Sequence, residues 1–384
     1  MEGSCFGAGR ECAKVAHVRR LGLVFLVCFV GCAKPPPKKV REAPRPADPQ
    51  EAVKKLVGEL YATVQAGEAD KLEELFTADA MVFGLGPSDT INFRDTLVQR
   101  ARQELLPLAL GGDKLEISDS RVTVGLGNGE TSAWLYDLPQ VTATHKGEDS
   151  TWLPRLTGHA VKEGDRWRID ALHLSLGVSD ALLSKPDASR LLLPPSAVAD
   201  ERGPDADQLV GLTRRLVEDM GVKVDRASER PGFVLVGTSP VELFEGGKAF
   251  KDLVRPQLPA IKKGGYSWKL DGPLRARLAP DHQSGWAAGV LVMRVTTGKK
   301  VQTYPPFRVL WLFADEGGVW NLVSEHQSLA VKVDLREPAA DEQLKAWKGL
   351  REAAETRAAA EAKKAPEKPK DKGKKDDGAP IDAW

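Results

Sequence analysis

Two histidines on matching stretches are the first residues in this chain that could do chemistry. His173 lies in Arg166-Trp-Arg-Ile-Asp-Ala-Leu-His-Leu-Ser-Leu-Gly-Val178, and His326 in Val319-Trp-Asn-Leu-Val-Ser-Glu-His-Gln-Ser-Leu-Ala-Val331. An imidazole changes charge near neutral pH, so each could serve as a general base or as a polar anchor in an apolar cavity. Trp134, after Ser132-Ala133, and Trp286, after Ser284-Gly285, could form an aromatic wall for an apolar ligand. Trp134, His173, Trp286 and His326 are therefore the candidate ligand-pocket residues.

Strand alternation decides what can meet them. A period of two puts Trp167, Ile169, Ala171, His173 and Ser175 on one face. The matching face carries Trp320, Leu322, Ser324, His326 and Ser328. Acid–base catalysis needs a second titrating group with a separated pKa. The first stretch of sequence offers Tyr136, Asp137, His159 and Asp170, but Asp137 and Asp170 alternate onto faces opposite Trp134 and His173. The second offers Glu325, which points away from His326, and Arg294. No pair converges, and no catalytic residue is assigned. The competing expectation is that each histidine is a core residue bonded to Ser175 or Ser328, with the tryptophans as filling.

Other chemistries find less support. The six histidines are scattered, with no i, i+2 or i, i+4 pair, so no metal is expected. Gly84-x-Gly86 and Gly125-x-Gly127 do not continue into a full Gly-x-Gly-x-x-Gly leading to a helix, so no nucleotide cofactor is expected. All four cysteines (Cys5, Cys12, Cys28, Cys32) precede residue 33, which denies the rest of the chain a disulfide or thiolate site. A net charge of +1 gives no basic field for nucleic acid.

The elements that must position these residues come in two sets. Trp167 and Trp320, His173 and His326, Ser175 and Ser328, and Leu176 and Leu329 are each 153 apart. Ser132-Ala-Trp134 and Ser284-Gly-Trp286 keep a spacing of 152, as do Leu106-Pro107 and Leu258-Pro259, while Gly111-Gly112 and Gly264-Gly265 return to 153. Near-constant spacing reads as one domain duplicated. The expected boundaries are 50–180 and 207–335, with a connector at 181–206. In the first copy, Asp48-Pro49 starts a helix whose stripe is Val53, Leu56, Val57, Leu60, Tyr61 and Val64. A short helix over Asp70–Phe76, a strand over Met81–Leu85 and a helix over Phe93–Leu106 follow. Strands are then expected over Lys114–Leu126, Thr131–Val141, Thr151–Lys162 and Trp167–Leu176. The second copy repeats this order. Helices first and then a run of strands predict an α+β fold with antiparallel sheets.

Outside the copies, Arg19-Arg20 and the apolar run Leu21–Val30 read as a signal segment over 1–31. Its end, Phe29-Val30-Gly31-Cys32, resembles the lipobox of bacterial lipoproteins, which implies a lipidated Cys32 and a cell-envelope location. Residues 32–49 are a Pro- and Lys-rich tether, and 336–384 a charged tail, with a helix expected over Asp341–Ala362 and disorder beyond.

The order of elements, the pattern Gly237-x-Ser-Pro…Phe-Glu-Gly-Gly-Lys-x-Phe250 and the closing Trp…His-x-Ser strands resemble the SnoaL-like branch of the nuclear-transport-factor-2-like superfamily. The resemblance covers roughly 50–180 and 207–335. It implies two tandem cone-shaped domains, each with helices packed on a curved antiparallel sheet around a pocket. Enzymes of that superfamily pair an aspartate with a tyrosine or histidine in the cone, whereas other members only bind or associate. The expectation is a membrane-anchored envelope lipoprotein whose two domains form a non-catalytic module for a small apolar ligand or a protein partner. The alternative is an isomerase or dehydratase acting on a hydrophobic small molecule. A scaffold in which the copies pack through their sheets overlaps the first reading.

Overall fold

A computed structural model describes residues 48–178 (except 87), 195, 196, 198–201, 203, 205–330, and 348, 349, 352 and 356. The expected signal segment, Cys32, the tether, most of the connector and most of the tail lie outside the described residues. The four described tail residues are helical, and the Thr356 hydroxyl donates to the Glu352 carbonyl.

Helix α1 (Pro49–Gln65) begins as its sequence dictates, with Asp48 Oδ1 accepting from the Gln50 N–H at 2.9 Å and proline in the first turn. Its apolar stripe, from Val53 to Val64, is buried. A 3-10 turn (Ala69–Lys71) and α2 (Leu72–Leu75) lead into β1 (Phe76–Phe83), a longer strand than the one expected at Met81–Leu85. Then come β2 (Thr90–Ile91), α3 (Arg94–Glu104), α4 (Leu106–Ala109), β3 (Asp113–Ser118), β4 (Thr123–Leu126), β5 (Ser132–Asp137), β6 (Gln140–His145), β7 (Glu148–Trp152), β8 (Arg155–Glu163) and β9 (Arg166–Ser175).

The six-stranded sheet has the order β2-β1-β9-β8-β5-β4. It is mixed, not wholly antiparallel: β1 returns beside β9 in parallel, pairing Val82 with Leu172 and Phe83 with His173. Each of the three long strands expected before β9 is broken. Asp119, at φ 63°, separates β3 from β4. Leu138-Pro139 and Leu153-Pro154 end β5 and β7, because proline cannot donate to a ladder. The pieces so released, β3, β6 and β7, form a separate three-stranded sheet.

The second half repeats the plan with α5 (Asp207–Glu218), α6 (Met220–Arg226), β10 (Val234–Val236), β11 (Leu243–Glu245), α7 (Gly247–Val254), α8 (Leu258–Lys263), β12 (Tyr266–Leu270), β13 (Arg275–Leu278), β14 (Ser284–Thr297), β15 (Lys300–Thr303), β16 (Phe307–Asp315) and β17 (Trp320–Leu329). Its order β11-β10-β17-β16-β14 answers β2-β1-β9-β8-β5, and β10 is again parallel to the last strand, with Val236 beside His326. No proline interrupts β14, so β12, β13, β15 and β16 all pair with it in one eight-stranded sheet.

One register feature changes the faces. The β8–β9 pairing shifts between His159 and Ala160, leaving Asp170 as the extra residue, and the β16–β17 pairing shifts between Leu312 and Phe313, leaving Val323. Each is a β-bulge, which inverts the alternation beyond it. The expected common face of Trp167 and His173 therefore does not exist. Trp167 and Ile169 pack on the helix side, while Ala171 belongs to a different cluster. Trp320 and Leu322 likewise face the helices of the second half. That different cluster is built from both halves: Met81, Phe83, Trp134 and Ala171 meet Trp286, Ala288, Leu310, Leu312 and Val323. The two large sheets thus pack together through the faces turned away from their own helices.

Candidate functional site at the seam between the sheets

All four candidate pocket residues lie in or beside this seam, each at most 1% exposed. The His173 and His326 rings stack with centroids 3.9 Å apart and 17° between planes. Their hydrogen bonds are exchanged across the seam. His173 Nε2 lies 2.7 Å from Ser328 Oγ, and His326 Nε2 lies 2.7 Å from Ser175 Oγ. The serines of the competing expectation are the correct partners, each taken from the other half.

An arginine backs each serine. Arg155, opposite Ser175 on the neighbouring strand, donates to Ser175 Oγ (2.9 Å) and to the Ser239 carbonyl of the second half (2.7 Å). Arg308, opposite Ser328, donates to Ser328 Oγ (3.2 Å) and to the Gly86 carbonyl of the first half (2.9 Å). Burial lowers the Arg155 guanidinium to about 10, against an opposing pull from Glu242, so it stays charged at neutral pH. Burial pushes His326 well below 6.5, and the cations Arg155 and Arg308 push it further. Burial does the same to His173, followed by His326, Arg308 and Arg155. Both rings are neutral. Ser175 Oγ already accepts from Arg155, so its proton is directed at His326 Nε2; His326 Nδ1–H is then left to donate to Thr157 Oγ1 at 2.9 Å. A neutral ring held this way orients polar contacts but has no accessible substrate to deprotonate.

The symmetry is imperfect. Thr157 sits beside His173 on the adjacent strand, and Leu310 holds the same place beside His326. Leu310 has no polar group, and His173 Nδ1 is buried without a partner among the described residues. The bulge positions differ too. Asp170 accepts from Trp286 Nε1 at 2.9 Å and lies 2.7 Å from His159 Nδ1, whose Nε2 is 2.6 Å from Ser284 Oγ. Alternation had turned Asp170 away from this face, and the bulge brings it back. Val323 occupies the equivalent place in the other half, and Trp134 Nε1 is left buried without a partner among the described residues, beneath the Arg230 guanidinium.

Asp170, His159 and Ser284 have the connectivity of a nucleophilic triad. Ser284 and His159 are completely buried, so no carbonyl can approach the hydroxyl. Chemically the three act as a clasp, since His159 and Asp170 come from the first half and Ser284 from the second. Tyr136 also crosses over, donating to Glu245 Oε1 at 2.8 Å.

One acid-bearing cluster lies on the helix side of each large sheet. In the first half, Asp137 accepts from Tyr61 (2.7 Å), Ser120 (2.5 Å) and the backbone N–H groups of Arg121 and Leu138 (2.8 Å each). Burial raises its carboxyl above the ordinary value, opposed by these four bonds. Tyr61 was legible only as one member of an apolar stripe. In the second half, Glu325 does point away from His326, and it accepts from Lys223 Nζ (2.9 Å), from Trp311 Nε1 (3.2 Å) and from Gln327. Two acid–base pairs do converge, against the expectation of none: His159 with Asp170, eleven residues on along the neighbouring strand and brought to the same face by the bulge, and Tyr61 with Asp137, which is 76 residues away in sequence. Among the described residues, no group of three His, Cys, Asp or Glu is placed to hold a metal. Arg294 is exposed on β14, away from both clusters.

Residues 53–179 match the SnoaL-like domain family. No curated protein matches the chain. Among solved structures, the chain is similar to an NTF2-like protein with a cystatin-like fold from Novosphingobium aromaticivorans: 17% identity over 36% of this chain and 86% of that one, TM-score 0.29. It is also similar to an uncharacterized protein with a cystatin-like fold from Caulobacter vibrioides, at 17% identity over 37% and 97%, TM-score 0.27. A third is a protein from Catenulispora acidiphila, at 12% identity over 32% and 88%, TM-score 0.28.

Proposed function

We propose that this protein is a non-catalytic, envelope-anchored module in which two SnoaL-like copies, 50–180 and 207–335, are clasped into an intramolecular pair. In this reading Cys32 carries the lipid, the tether spaces the pair from the membrane, and the paired copies present their outer surfaces to a ligand or protein partner. The observation that carries it is the reciprocal His173–Ser328 and His326–Ser175 contact. The imidazoles that a catalytic reading needs are neutral, sealed and used to join the halves. Trp134 and Trp286 serve the same seam, so an apolar solute should not quench them unless the sheets part. The test of the anchor is Cys32→Ser in cells of a lipoprotein-processing bacterium. Release from the membrane fraction, with loss of the lipid mass, is expected; retention with unchanged mass would remove the anchor from the account.

A second reading rests on Tyr61 and Asp137. A buried carboxyl with a raised pKa, bonded to a phenol on the helix side of a SnoaL-like sheet, is an arrangement that could move a proton in an isomerase or dehydratase. Against it, the backbone bonds to Asp137 fix the bend at Leu138-Pro139, which is a structural task. Turnover of a hydrophobic hydroxy- or keto-compound that vanishes in Asp137→Asn, with folding intact, would favour the enzyme.

A further inference from the structure

The far end of the second half differs from its counterpart in both packing and charge. In the first half, α3, α4 and β3 close over their sheet: Leu97, Val98, Ala101, Leu105, Leu108, Leu115 and Ile117 are all buried. In the second, α8 has no buried residue, and Val254, Leu258, Ile261, Trp268 and Met293 are only half-buried. Leu253 is 49% exposed and Tyr266 46%. Tyr266 and Trp268, on one face of β12, stack on each other at 6.2 Å.

Charge follows the same division. Gly247–Leu270 contains six basic residues and one acidic one in a chain whose net charge is only +1, whereas the counterpart Arg94–Ser118 balances four against four. Lys248, Lys251 and Arg255 are paired with Asp252, Glu229 and Asp225. Lys262, Lys263 and Lys269 have no carboxylate partner among the described residues, nor do Lys299 and Lys300. Gly265 pairs its backbone with Thr296, so the end of α8 and the β14–β15 turn meet at one corner. Lys262 and Lys263 precede Tyr266 at that corner, and Lys299 and Lys300 lie at the turn that follows its pairing partner Val295.

We propose that this corner, formed by α7, α8, β12 and the β14–β15 turn, is a contact face for an anionic lipid surface. An aromatic and aliphatic patch edged by unpaired lysines matches the boundary between acyl chains and acidic headgroups. There tyrosine and tryptophan span the apolar–polar change, and lysine stems extend their ammonium groups to phosphate. An acidic protein would satisfy the lysines but leaves the exposed Leu253 and Tyr266 unexplained; a second copy would bring like charges together.

The experiment uses the full chain carrying Cys32→Ser, so that no covalent lipid contributes and failure of the anchor reading does not affect it. Cosedimentation is measured with vesicles of phosphatidylcholine alone and with about 30% phosphatidylglycerol, at about 50 and 300 mM salt, a range over which surface charge is progressively screened. Binding to the anionic vesicles only, weakened by salt, is expected. Lys262→Glu with Lys263→Glu should weaken it about tenfold or more, given the attraction each lysine feels near such a surface. Leu253→Ser should weaken it severalfold without changing the salt dependence. Thermal unfolding of each variant should match the parent, since these side chains are exposed. No binding to anionic vesicles, equal binding by the lysine variant, or concentration-dependent self-association abolished by that variant would each overturn the proposal.

Discussion

His173 and His326 stand face to face in the seam between the two large sheets, ring centroids 3.9 Å apart, and each is bonded to the serine two residues beyond the other. The relationship fixes both strand register and chemistry. A one-residue slip in β9 or β17 would turn the histidine to the helix side and strand two buried arginines. It also leaves the pair vulnerable to acid.

The acid dependence has a definite sign. Both histidines are held well below 6.5 in the fold, while an unfolded chain protonates them near that value. Unfolding therefore takes up protons as pH falls below about 6.5, and stability declines until the depressed folded-state values are reached. Each unit of depression removes about 1.4 kcal/mol per histidine over that window. Asp137, raised by burial, contributes with the opposite sign, so the difference between proteins isolates the histidines. Denaturant midpoints from about pH 8 to about pH 5 should fall more steeply for the parent than for His173→Gln with His326→Gln. Parallel curves would contradict neutral buried rings.

The seam serines should be coupled through the histidines. Ser328→Ala leaves both Arg308 Nε and His173 Nε2 with a lost partner, and should cost about 1–3 kcal/mol. Ser175→Ala should behave alike. Because the two histidines stack, a double-mutant cycle should show a coupling of about 0.5 kcal/mol or more, whereas strict additivity would mean that the halves do not share the site.

Asp170 should matter far more than its mirror position. Asp170→Ala strands Trp286 Nε1 and His159 Nδ1 in the interior, for an expected cost of about 3–5 kcal/mol. Val323→Ala, at the equivalent bulge, removes only apolar contact and should cost about half of that or less. Equal losses in urea titrations would show that the clasp is not where the energy lies.

How much of this could be read from the sequence is clearest at the two bulges. The repeat spacing, the first helix with its Asp48 cap and the His-x-Ser strands were legible, because they follow from local pattern. The side toward which His173 points was not. Alternation counted from Trp167 placed both on one face, and a single extra residue at Asp170 inverts the count. Nothing in Ile169-Asp170-Ala171 announces a bulge. The strand ends at Leu138-Pro139 and Leu153-Pro154 could have been found from proline alone. Tyr61–Asp137 and His159–Ser284 could not, since the partners are 76 and 125 residues apart and meet only through tertiary packing.

The central claim is that the two halves form one clasped pair through the seam. It is tested most directly by inserting a protease site in the connector between residues 181 and 206, cleaving the folded protein and running it on a sizing column. The account predicts that the cleaved halves still elute together in equal amounts, and that Ser284→Glu, which forces a longer, charged side chain into the sealed space where Ser284 Oγ meets His159 Nε2, lets them separate. Two folded halves eluting apart from the cleaved parent protein would contradict it.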